Sequence, residues 1–526
     1  MLSKFLDSRL LVLYITPFIL GLLSVFSFQP FNFSIINFFI LPTIFLLTLY
    51  VKKKSKSTYR KKPYLKNLFL LGFMFGFGFY LSGIYWISYS LTFDENFKFL
   101  IPLTIILVPG FLALFYALVT YLFALLKPKK NLSSFFLFSL IFGIIEFIRG
   151  SILTGFPWNL IAFSFSNQLE ILNIISIIGT YGFNLFCISL FTSPSIFILR
   201  ENKKDISVCV ALLIITMSFY ALGSQNLEKF NNQQAKKLDY KIRILSSNIS
   251  IDRFYNNVDP VKVIEELIEI SATKKNEKII FIWPEGIIPG ISQGQLKKYK
   301  WLFENKFNEN HLLAIGINIK ENQNKYIKYF NSLSIFDHNL NILNSYKKIN
   351  LVPFGEFLPL EKLLKSIGFK TITNDYQSYS KGKDRNIIDL KYNNLSVKIL
   401  PLICYEIIYS GKLFIKSNFD YIVNVSEDGW FGKSIGPEQH FIHSIFRAIE
   451  SGKYVLRSAN NGASAIINPM GVIEQKVDLD KSGYIDLSES RKIEMTLFAK
   501  FGNKIFGFII LLYIFLVISF MKLRNE

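Results

Sequence analysis

Long apolar segments separated by short polar loops make up the first part of the chain. Eight segments approach or exceed the roughly 20 residues that an α-helix needs to cross a bilayer. They lie at 9–28, 34–51, 67–90, 99–126, 133–149, 170–199, 206–222 and 503–522. The pattern predicts a membrane domain over 1–222 with about seven transmembrane helices, and a last transmembrane helix with a short tail over 503–526. "GTYGFN" and "TSPS" interrupt the segment 170–199, which could be a kinked helix or a shorter span with an interfacial flank.

Between residues 223 and 502 the apolar runs become short and are separated by polar turns. Runs rich in branched apolar residues are typical of β-strands, and they lie at 241–248, 278–285, 312–319, 396–404, 420–426, 454–459 and 464–469. Amphipathic helical patterns occur at 261–275, 295–307 and 437–452. This second part therefore predicts one large α/β domain with buried sheets.

Composition and charge support this division and orient it in the membrane. Hydrophobic residues make up 51% of the 526 residues, which is too apolar for an ordinary soluble protein. The net charge is +21, but the basic residues cluster in the loops "VKKKSKSTYRKKPYLKN", "KPKKN", "RENKKD" and "MKLRNE", which argues against a nucleic-acid-binding domain. The positive-inside rule assigns these loops and both termini to the cytoplasm. The domain over 223–502 is then expected on the outer face.

Cys404 ends the apolar run of "VKILPLICYE" and is a candidate nucleophile. The chain has three cysteines, and Cys187 and Cys209 lie inside predicted membrane spans. Cys404 is therefore left without a disulfide partner in an extracytoplasmic domain. Taken alone, however, a buried structural thiol is the more common explanation for such a residue.

Polar groups that could activate a cysteine follow other predicted strands. Glu285 follows "IIFIW", and "NSYKKINLVPFGEF" contains Lys347, Lys348 and Glu356. Because a thiol needs a base to become a nucleophile, Glu285 is a candidate base for Cys404. A lysine could hold the negative charge that builds on an attacked carbonyl oxygen, and Glu356 could orient that lysine. Each residue alone has an ordinary explanation as a cap or a solvated turn, so the hypothesis depends on their combination.

Longer motifs resemble one family over nearly the whole chain. "IWPEG", "YKKINLVPFGEFLPLE", "LPLICYE" and "NVSEDGWFGKSIGPEQH" resemble the nitrilase-superfamily domain of bacterial apolipoprotein N-acyltransferases. "QPFNFSIINF", "GFGFYLSGIYWISYSL" and "TGFPWNLIAFSFS" resemble the membrane domain of the same family. The motifs also keep the family's order along the chain.

The resemblance implies a Glu-Lys-Cys triad in a nitrilase-like α/β/β/α sandwich. The family's motifs correspond here to Glu285, Lys348 and Cys404 as the catalytic residues. Lys348 is chosen over Lys347 because it stands eight residues before the Glu of "VPFGE", as in the family pattern. The resemblance also implies supporting roles for Glu356, Tyr405 and Glu406.

Three features outside the triad bear on substrate contacts. "NISIDRFYNN" offers Phe254 or Tyr255 where the family commonly has Trp. "SEDGWFG" departs from a family pattern closer to Ser-Asn-Asp-Ala-Trp-Phe-Gly, a change that we expect not to touch the triad. "FPWNLIAFSF" at 156–165 is a candidate lateral entrance for acyl chains or, equally, an ordinary interfacial aromatic belt.

The activity implied by the resemblance is acyl transfer from a phospholipid, with phosphatidylethanolamine as donor, through a cysteine thioester. The implied acceptor is the α-amino group of the diacylglyceryl-cysteine of an apolipoprotein, and the implied location is the cell inner membrane with the catalytic domain on the periplasmic side. Two alternatives stay open on the residues alone. One is a membrane-tethered nitrilase-like amidase or hydrolase, and the other is a non-enzymatic membrane protein with an inactive outer domain.

Neither a cofactor nor a metal ion is expected. The four histidines are His311, His338, His440 and His443. His440 and His443 are three residues apart, but no third ligand has convincing spacing for a metal site. No glycine-rich phosphate loop is visible, which argues against nucleotide use.

Overall fold

The computed structural model describes residues 6–58, 63–126, 128–255, 258–323, 326–366, 378–393, 395–411, 413 and 419–522. The first part of the chain is helical. Its helices are α1 (Thr16–Leu23), α2 (Asn37–Thr58), α3 (Pro63–Ile84), α4 (Ile101–Leu126), α5 (Asn131–Arg149), α6 (Leu169–Leu172), α7 (Ile175–Thr192), α8 (Pro194–Leu199) and α9 (Lys203–Asn231).

Within the described residues, seven helices are long and apolar enough to cross a membrane. They are Ser34–Lys54, Tyr64–Thr92, Glu95–Leu126, Asn131–Arg149, Ile175–Leu199, Lys203–Asn231 and Lys504–Lys522. The first predicted segment, 9–28, forms a shorter apolar helix, Leu11–Ser27, which changes from π to α to 3-10 geometry along its length. The expectation of about eight spans therefore corresponds to seven long helices and this shorter one.

Of the two alternatives for the segment 170–199, the structure has the kinked helix, with the kink at Gly179 within α7. Gly179 has a φ of +69°, which interrupts the helical geometry and is rarely adopted by residues with a Cβ. A Cβ at this position would lie 2.0 Å from the ring of Phe498. The break exposes the main-chain N–H of Thr180, which donates to Oε1 of Glu450 at 2.8 Å. The kink thereby joins the membrane helices to the α/β part of the chain.

Helix α9 connects the two parts of the chain. Asn202 and Asp205 form a capping box at its start, and the helix runs for 29 residues. The expected domain boundary at residue 222 lies inside this helix, and the first strand begins only at Lys236.

The described residues of the second part contain two six-stranded sheets and a separate hairpin, β4–β5. The sheet orders are β14-β1-β2-β3-β6-β7 and β13-β12-β11-β10-β9-β8. The strands are β1 (Lys236–Ser246), β2 (Ile279–Trp283), β3 (His311–Gly316), β4 (Ile319–Gln323), β5 (Tyr326–Phe330), β6 (Ser332–Asp337), β7 (Ile342–Lys347), β8 (Ile388–Tyr392), β9 (Leu395–Ile403), β10 (Tyr421–Glu427), β11 (Tyr454–Asn460), β12 (Ser464–Ile467), β13 (Ile473–Val477) and β14 (Gly483–Ser490). The helices are α10 (Pro260–Ser271), α11 (Lys300–Phe303), α12 (Glu361–Ser366), α13 (Gly436–Ser451), α14 (Leu497–Phe501) and α15 (Lys504–Lys522).

Three apolar cores define the layers of this α/β/β/α sandwich. Side chains from both sheets, such as Ile282 and Val423, share one core. Alternate residues of β2, such as Phe281, pack instead with α10 in a second core, as the two-residue period of a strand requires. The outer face of the second sheet packs against α13, and this third core continues into the membrane helices. The second helical layer is therefore covered by the membrane domain.

Candidate active site

Glu285, Lys348 and Cys404 come from strand ends that meet at one edge of the sandwich. Glu285 lies just beyond β2, and Cys404 follows β9 directly. Strand β7 ends beside the start of the antiparallel β6, and β6 starts beside the end of β3. Since β3 is parallel to β2, Lys348 emerges at the same edge as Glu285. Ends of parallel strands are where α/β folds commonly build their sites.

Lys348 lies between the two glutamates. Its Nζ donates to Oε1 of Glu285 at 3.2 Å and to Oε1 of Glu356 at 3.0 Å. The lysine side chain is 1% exposed and the glutamates are 9% and 7% exposed. Two carboxylates therefore hold one ammonium group with little access to water.

Asn331 completes this cluster, and the sequence analysis missed it. Its Nδ2 donates to Oε1 of Glu285 and to Oε1 of Glu356, each at 2.7 Å. Its main-chain carbonyl oxygen accepts a hydrogen bond from the main-chain N–H of Lys348 at 2.9 Å. The local sequence "FNSLSIFD" gave no clear signal for a strand at this point, because Ser332 and Ser334 interrupt its apolar residues.

The charges of the cluster set the protonation of Lys348 and Glu356. Burial alone lowers the pKa of Lys348, but the carboxylates of Glu285 and Glu356 overcome that effect and raise it well above its usual value. Burial raises the pKa of Glu356, and the neighbouring ammonium of Lys348 opposes the increase. Lys348 is therefore an ammonium group throughout the physiological pH range.

Cys404 is partly exposed and occupies an unusual backbone conformation. Its φ is +47°, in the left-handed region that costs energy for a residue with a Cβ. Burial raises the pKa of the Cys404 thiol well above its usual value, Glu285 adds to the increase, and Lys348 opposes it. The structure thus places the cysteine close enough to both residues for their charges to act on its thiol.

Glu406 supports the turn that carries Cys404. Its carboxylate is fully buried and accepts hydrogen bonds from both sides of the site. The donors are the main-chain N–H groups of Ile349, Asn350 and Ile403 at 3.0, 3.1 and 3.0 Å, the hydroxyl of Tyr346 at 2.8 Å and the guanidinium of Arg385 at 3.0 Å. Glu406 therefore fixes the loop after Lys348 relative to the end of β9.

Tyr405 ties the same turn to the membrane domain. Its hydroxyl donates to the carbonyl of Gly155 at 2.6 Å, and the hydroxyl of Tyr409 donates to the carbonyl of Thr154 at 2.7 Å. Both acceptors lie in the loop that follows α5. The cysteine turn is thus anchored at the surface of the membrane helices.

The segment 156–165, a candidate lateral entrance or equally an interfacial aromatic belt, packs between the two parts of the chain. Trp158 is 1% exposed and Phe163 is 6% exposed. Nε1 of Trp158 donates to Oε1 of Gln439 at 2.8 Å, and Phe163 packs against Phe446 with ring centroids 4.7 Å apart. These contacts make the segment a docking surface for α13, because the rings of Trp158 and Phe163 are covered by protein.

His440 belongs to a buried polar network close to the site. Its Nδ1 pairs with Oδ1 of Asp428 at 2.9 Å, and Arg457 binds Oδ2 of the same carboxylate at 2.6 Å. Burial lowers the pKa of His440, and the charge of Asp428 opposes this effect. Burial alone raises the pKa of Asp428, but Arg457 and His440 bring it below its usual value.

The motif "SEDGWFG" contacts Glu285 through its main chain, a contact that does not depend on the side chains in which the motif departs from the family pattern. The main-chain N–H of Glu427 donates to Oε2 of Glu285 at 3.0 Å. The ring of Trp430 in the same motif stacks on Phe254 with centroids 5.4 Å apart, and Tyr255 meets it edge-on at 6.3 Å. Phe254 and Tyr255, the two aromatic residues found where the family commonly has Trp, therefore both contact Trp430 of this motif.

Comparison with known proteins agrees with this architecture. Residues 20–191 match the family "Apolipoprotein N-acyltransferase N-terminal domain", and residues 253–493 match the family "Carbon-nitrogen hydrolase". The apolipoprotein N-acyltransferase of Rhodopseudomonas palustris is 31% identical over 82% of this chain and 82% of its own length. The Rickettsia typhi protein of that name is 31% identical over 92% of this chain and 94% of its own.

Among solved structures, Saccharomyces cerevisiae Nit3, a member of the nitrilase superfamily, is 18% identical and covers 47% of this chain and 90% of its own with a TM-score of 0.32. The sequence relatives carry the assignment, since they span both the membrane helices and the α/β part. The chain belongs to the apolipoprotein N-acyltransferase family.

Proposed function

We propose that this chain transfers a fatty acyl group from a phospholipid to the α-amino group of the N-terminal diacylglyceryl-cysteine of apolipoproteins, the last step of lipoprotein maturation. The proposed triad is Glu285, Lys348 and Cys404, with phosphatidylethanolamine as the acyl donor. The observation that carries the proposal is the buried Lys348, held between Glu285 and Glu356 and in electrostatic contact with Cys404. Such an arrangement provides a base, a cation and a nucleophile for acyl transfer.

The first step forms a thioester. Glu285 takes the proton from Sγ of Cys404, and the sulfur attacks the ester carbonyl carbon of the phospholipid. The ester C–O bond then breaks, and the leaving oxygen receives the proton from Glu285. A lysophospholipid departs and the acyl group stays on Cys404. The raised pKa of the thiol makes this base necessary, because little thiolate exists before the attack.

The oxyanion of each tetrahedral intermediate needs positive charge or N–H donors. Lys348 supplies an ammonium group that remains charged, because its pKa is raised. The main-chain N–H of Tyr405 is the second proposed donor, since it directly follows the nucleophile in a turn held at positive φ. Glu356 and Glu406 keep the lysine and this turn in place through the hydrogen bonds described above.

The second step transfers the acyl group to the amine. The neutral α-amino group of the lipoprotein attacks the thioester carbonyl, and Glu285 takes one of its protons. The C–S bond breaks, the proton passes to Sγ, and an amide-linked acyl chain forms. Cys404 returns to its thiol form for another cycle.

Both proposed substrates are anchored in lipid, which gives a reason for joining the α/β domain to membrane helices. We assign the domain 223–502 to the periplasmic side of the inner membrane and both termini to the cytoplasm, since the basic loops favour this orientation. The terminal residues 1–5 and 523–526 lie outside the described part of the chain. The domains 1–222 and 503–526 are the proposed membrane-spanning parts.

Purified full-length protein in liposomes of phosphatidylethanolamine, supplied with a diacylglyceryl peptide, tests the proposal. We expect a thioester on Cys404 before peptide is added and an N-acylated peptide afterwards, and Cys404→Ala should form neither. Free fatty acid without acylated peptide would instead indicate a hydrolase. Unchanged acylation in Cys404→Ala would refute the mechanism.

A further inference from the structure

Arg253 and Glu427 form a buried ion pair beside the candidate triad. Nη2 of Arg253 binds Oε2 of Glu427, and the two side chains are 1% and 2% exposed. Arg253 lies in the 3-10 turn Ile251–Phe254 after β1, whereas Glu427 is the last residue of β10. The pair therefore links the first sheet to the second sheet at the edge that carries the site.

The carboxylate of Glu427 has further partners that fix the main chain around it. Oε2 also accepts Nδ2 of Asn460 at 2.9 Å, and Oε1 accepts the main-chain N–H of Gly429 at 2.9 Å. Burial raises the pKa of Glu427, and the charge of Arg253 opposes the increase. Without Arg253, this buried carboxylate would have no cationic partner in direct contact among the described residues.

The main chain of Glu427 in turn holds one oxygen of Glu285. Its N–H donates to Oε2 at 3.0 Å, while Lys348 and Asn331 donate to Oε1 at 3.2 and 2.7 Å. Each carboxylate oxygen is thus fixed by a different part of the structure. A shift of the Glu427 main chain would turn the whole carboxylate.

We propose that Arg253 and Glu427 are positioning residues that aim the carboxylate of Glu285 at the thiol of Cys404. This inference rests on the proposed function, in which Glu285 is the base. The ion pair acts through the Glu427 N–H, which donates to Oε2 of the base at 3.0 Å. The ionisable groups around Glu285 are Lys348, Glu356, Tyr379, Cys404, Arg253 and Glu427.

The test compares Arg253→Met, Glu427→Gln and the double variant, as full-length protein in phosphatidylethanolamine liposomes, by the rate of thioester formation against pH. Each single variant leaves a buried charge unpaired, and we expect acylation to slow about 10- to 100-fold, as misplacement by about 1 Å does. The pH–rate profile should also change, because the Glu427 N–H that holds Oε2 of the base is displaced. The double variant should recover most of the rate, since no buried charge is left unpaired.

Arg243→Met is the matched control, because Arg243 is also a buried arginine and pairs with the partly exposed Asp486 at 2.7 Å, on β1 and β14. We expect this change to lower thermal stability and to leave the pH–rate profile unchanged. Wild-type rates and profiles in both single variants would overturn the inference, and so would an equal shift in Arg243→Met. If neither single variant folds, Arg253→Lys decides, since it keeps the charge without the planar guanidinium. A wild-type rate and pH–rate profile in Arg253→Lys would overturn the inference, and a slower rate with a changed profile would support it.

Wild-type protein assayed in parallel separates this inference from the proposed function. A wild-type enzyme that forms no thioester on Cys404 would refute the proposed function itself. A wild-type enzyme that forms it, with unaffected variants at Arg253 and Glu427, would refute only the positioning role.

Discussion

Replacing Asn331 by alanine removes the amide that bridges the two carboxylates of the site. Its Nδ2 donates to Glu285 and to Glu356, each at 2.7 Å. A hydrogen bond to a charged group contributes about 1.5 to 3 kcal/mol net, so losing both costs about 3 kcal/mol of folding free energy at the lower end of that range. Lys348 still contacts both carboxylates at 3.2 and 3.0 Å, so we expect the fold to persist with this loss.

The same change should slow the formation of the acyl-enzyme. Oε1 of Glu285 keeps only Lys348 of its two side-chain donors, so the carboxylate can rotate away from Cys404. A displacement of about 1 Å is enough to cost about 100-fold in rate, and we expect a decrease of about 10- to 100-fold. Single-turnover thioester formation, followed by mass spectrometry of the intact protein, measures this rate, and thermal unfolding measures the stability.

Asn468→Ala is the matched control for Asn331→Ala. Asn468 is also a buried asparagine; it donates to Glu474 at 3.1 Å and accepts the N–H groups of Met470 and Val472 at 2.9 and 3.1 Å. We expect it to lose stability with no change in the rate of acylation. A wild-type rate in Asn331→Ala, or an equal decrease in Asn468→Ala, would refute the role assigned to Asn331.

Three further predictions concern the turn that carries the nucleophile. Tyr405→Phe removes the 2.6 Å bond to Gly155 and should cost about 1 kcal/mol, seen as a lower midpoint of thermal unfolding in detergent; an unchanged midpoint would contradict it. Glu406→Gln replaces one carboxylate oxygen by an NH2 group, which then faces buried N–H donors instead of accepting from them, and it should cost more, about 2 to 3 kcal/mol, in the same measurement. Because the pKa of Cys404 is raised, iodoacetamide should alkylate it more slowly than it alkylates glutathione at pH 7. The alkylation rate should still increase above pH ~9, where a free thiol of pKa about 8.5 approaches its plateau. A plateau of the rate at or below that pH would contradict the raised pKa.

Buried parallel strands were the part of the fold that the sequence predicted well. The expected strand at 278–285 is β2 and the one at 396–404 is β9, because strands covered on both faces have continuous apolar runs. Strand β6 was missed although every residue in it is buried, since Ser332 and Ser334 interrupt its apolar pattern. Strand β13 was missed for the opposite reason, because it is largely exposed and carries polar residues.

Only some residues of the candidate site could be predicted from the sequence. Glu285, Lys348 and Cys404 stand in long motifs, so a resemblance could assign them. Asn331 and Arg253 stand outside those motifs, and their importance depends on contacts across strands that are far apart in sequence. No local pattern could predict that Asn331 lies within 2.7 Å of two glutamates.

The position of Cys404, the proposed nucleophile, depends on the membrane domain as well as on the sandwich. Tyr405 donates to the loop after α5, and Arg149 at the end of α5 donates to the carbonyl of Phe156 in the same loop. Arg149 is itself paired with the fully buried Glu146, an arrangement that hydrocarbon surroundings favour because an unpaired charge there is costly. This chain of contacts runs from a membrane helix to the residue next to Cys404. The membrane helices therefore do more than anchor the α/β domain, since they hold the cysteine turn at a fixed position relative to the lipid surface from which an acyl donor would come.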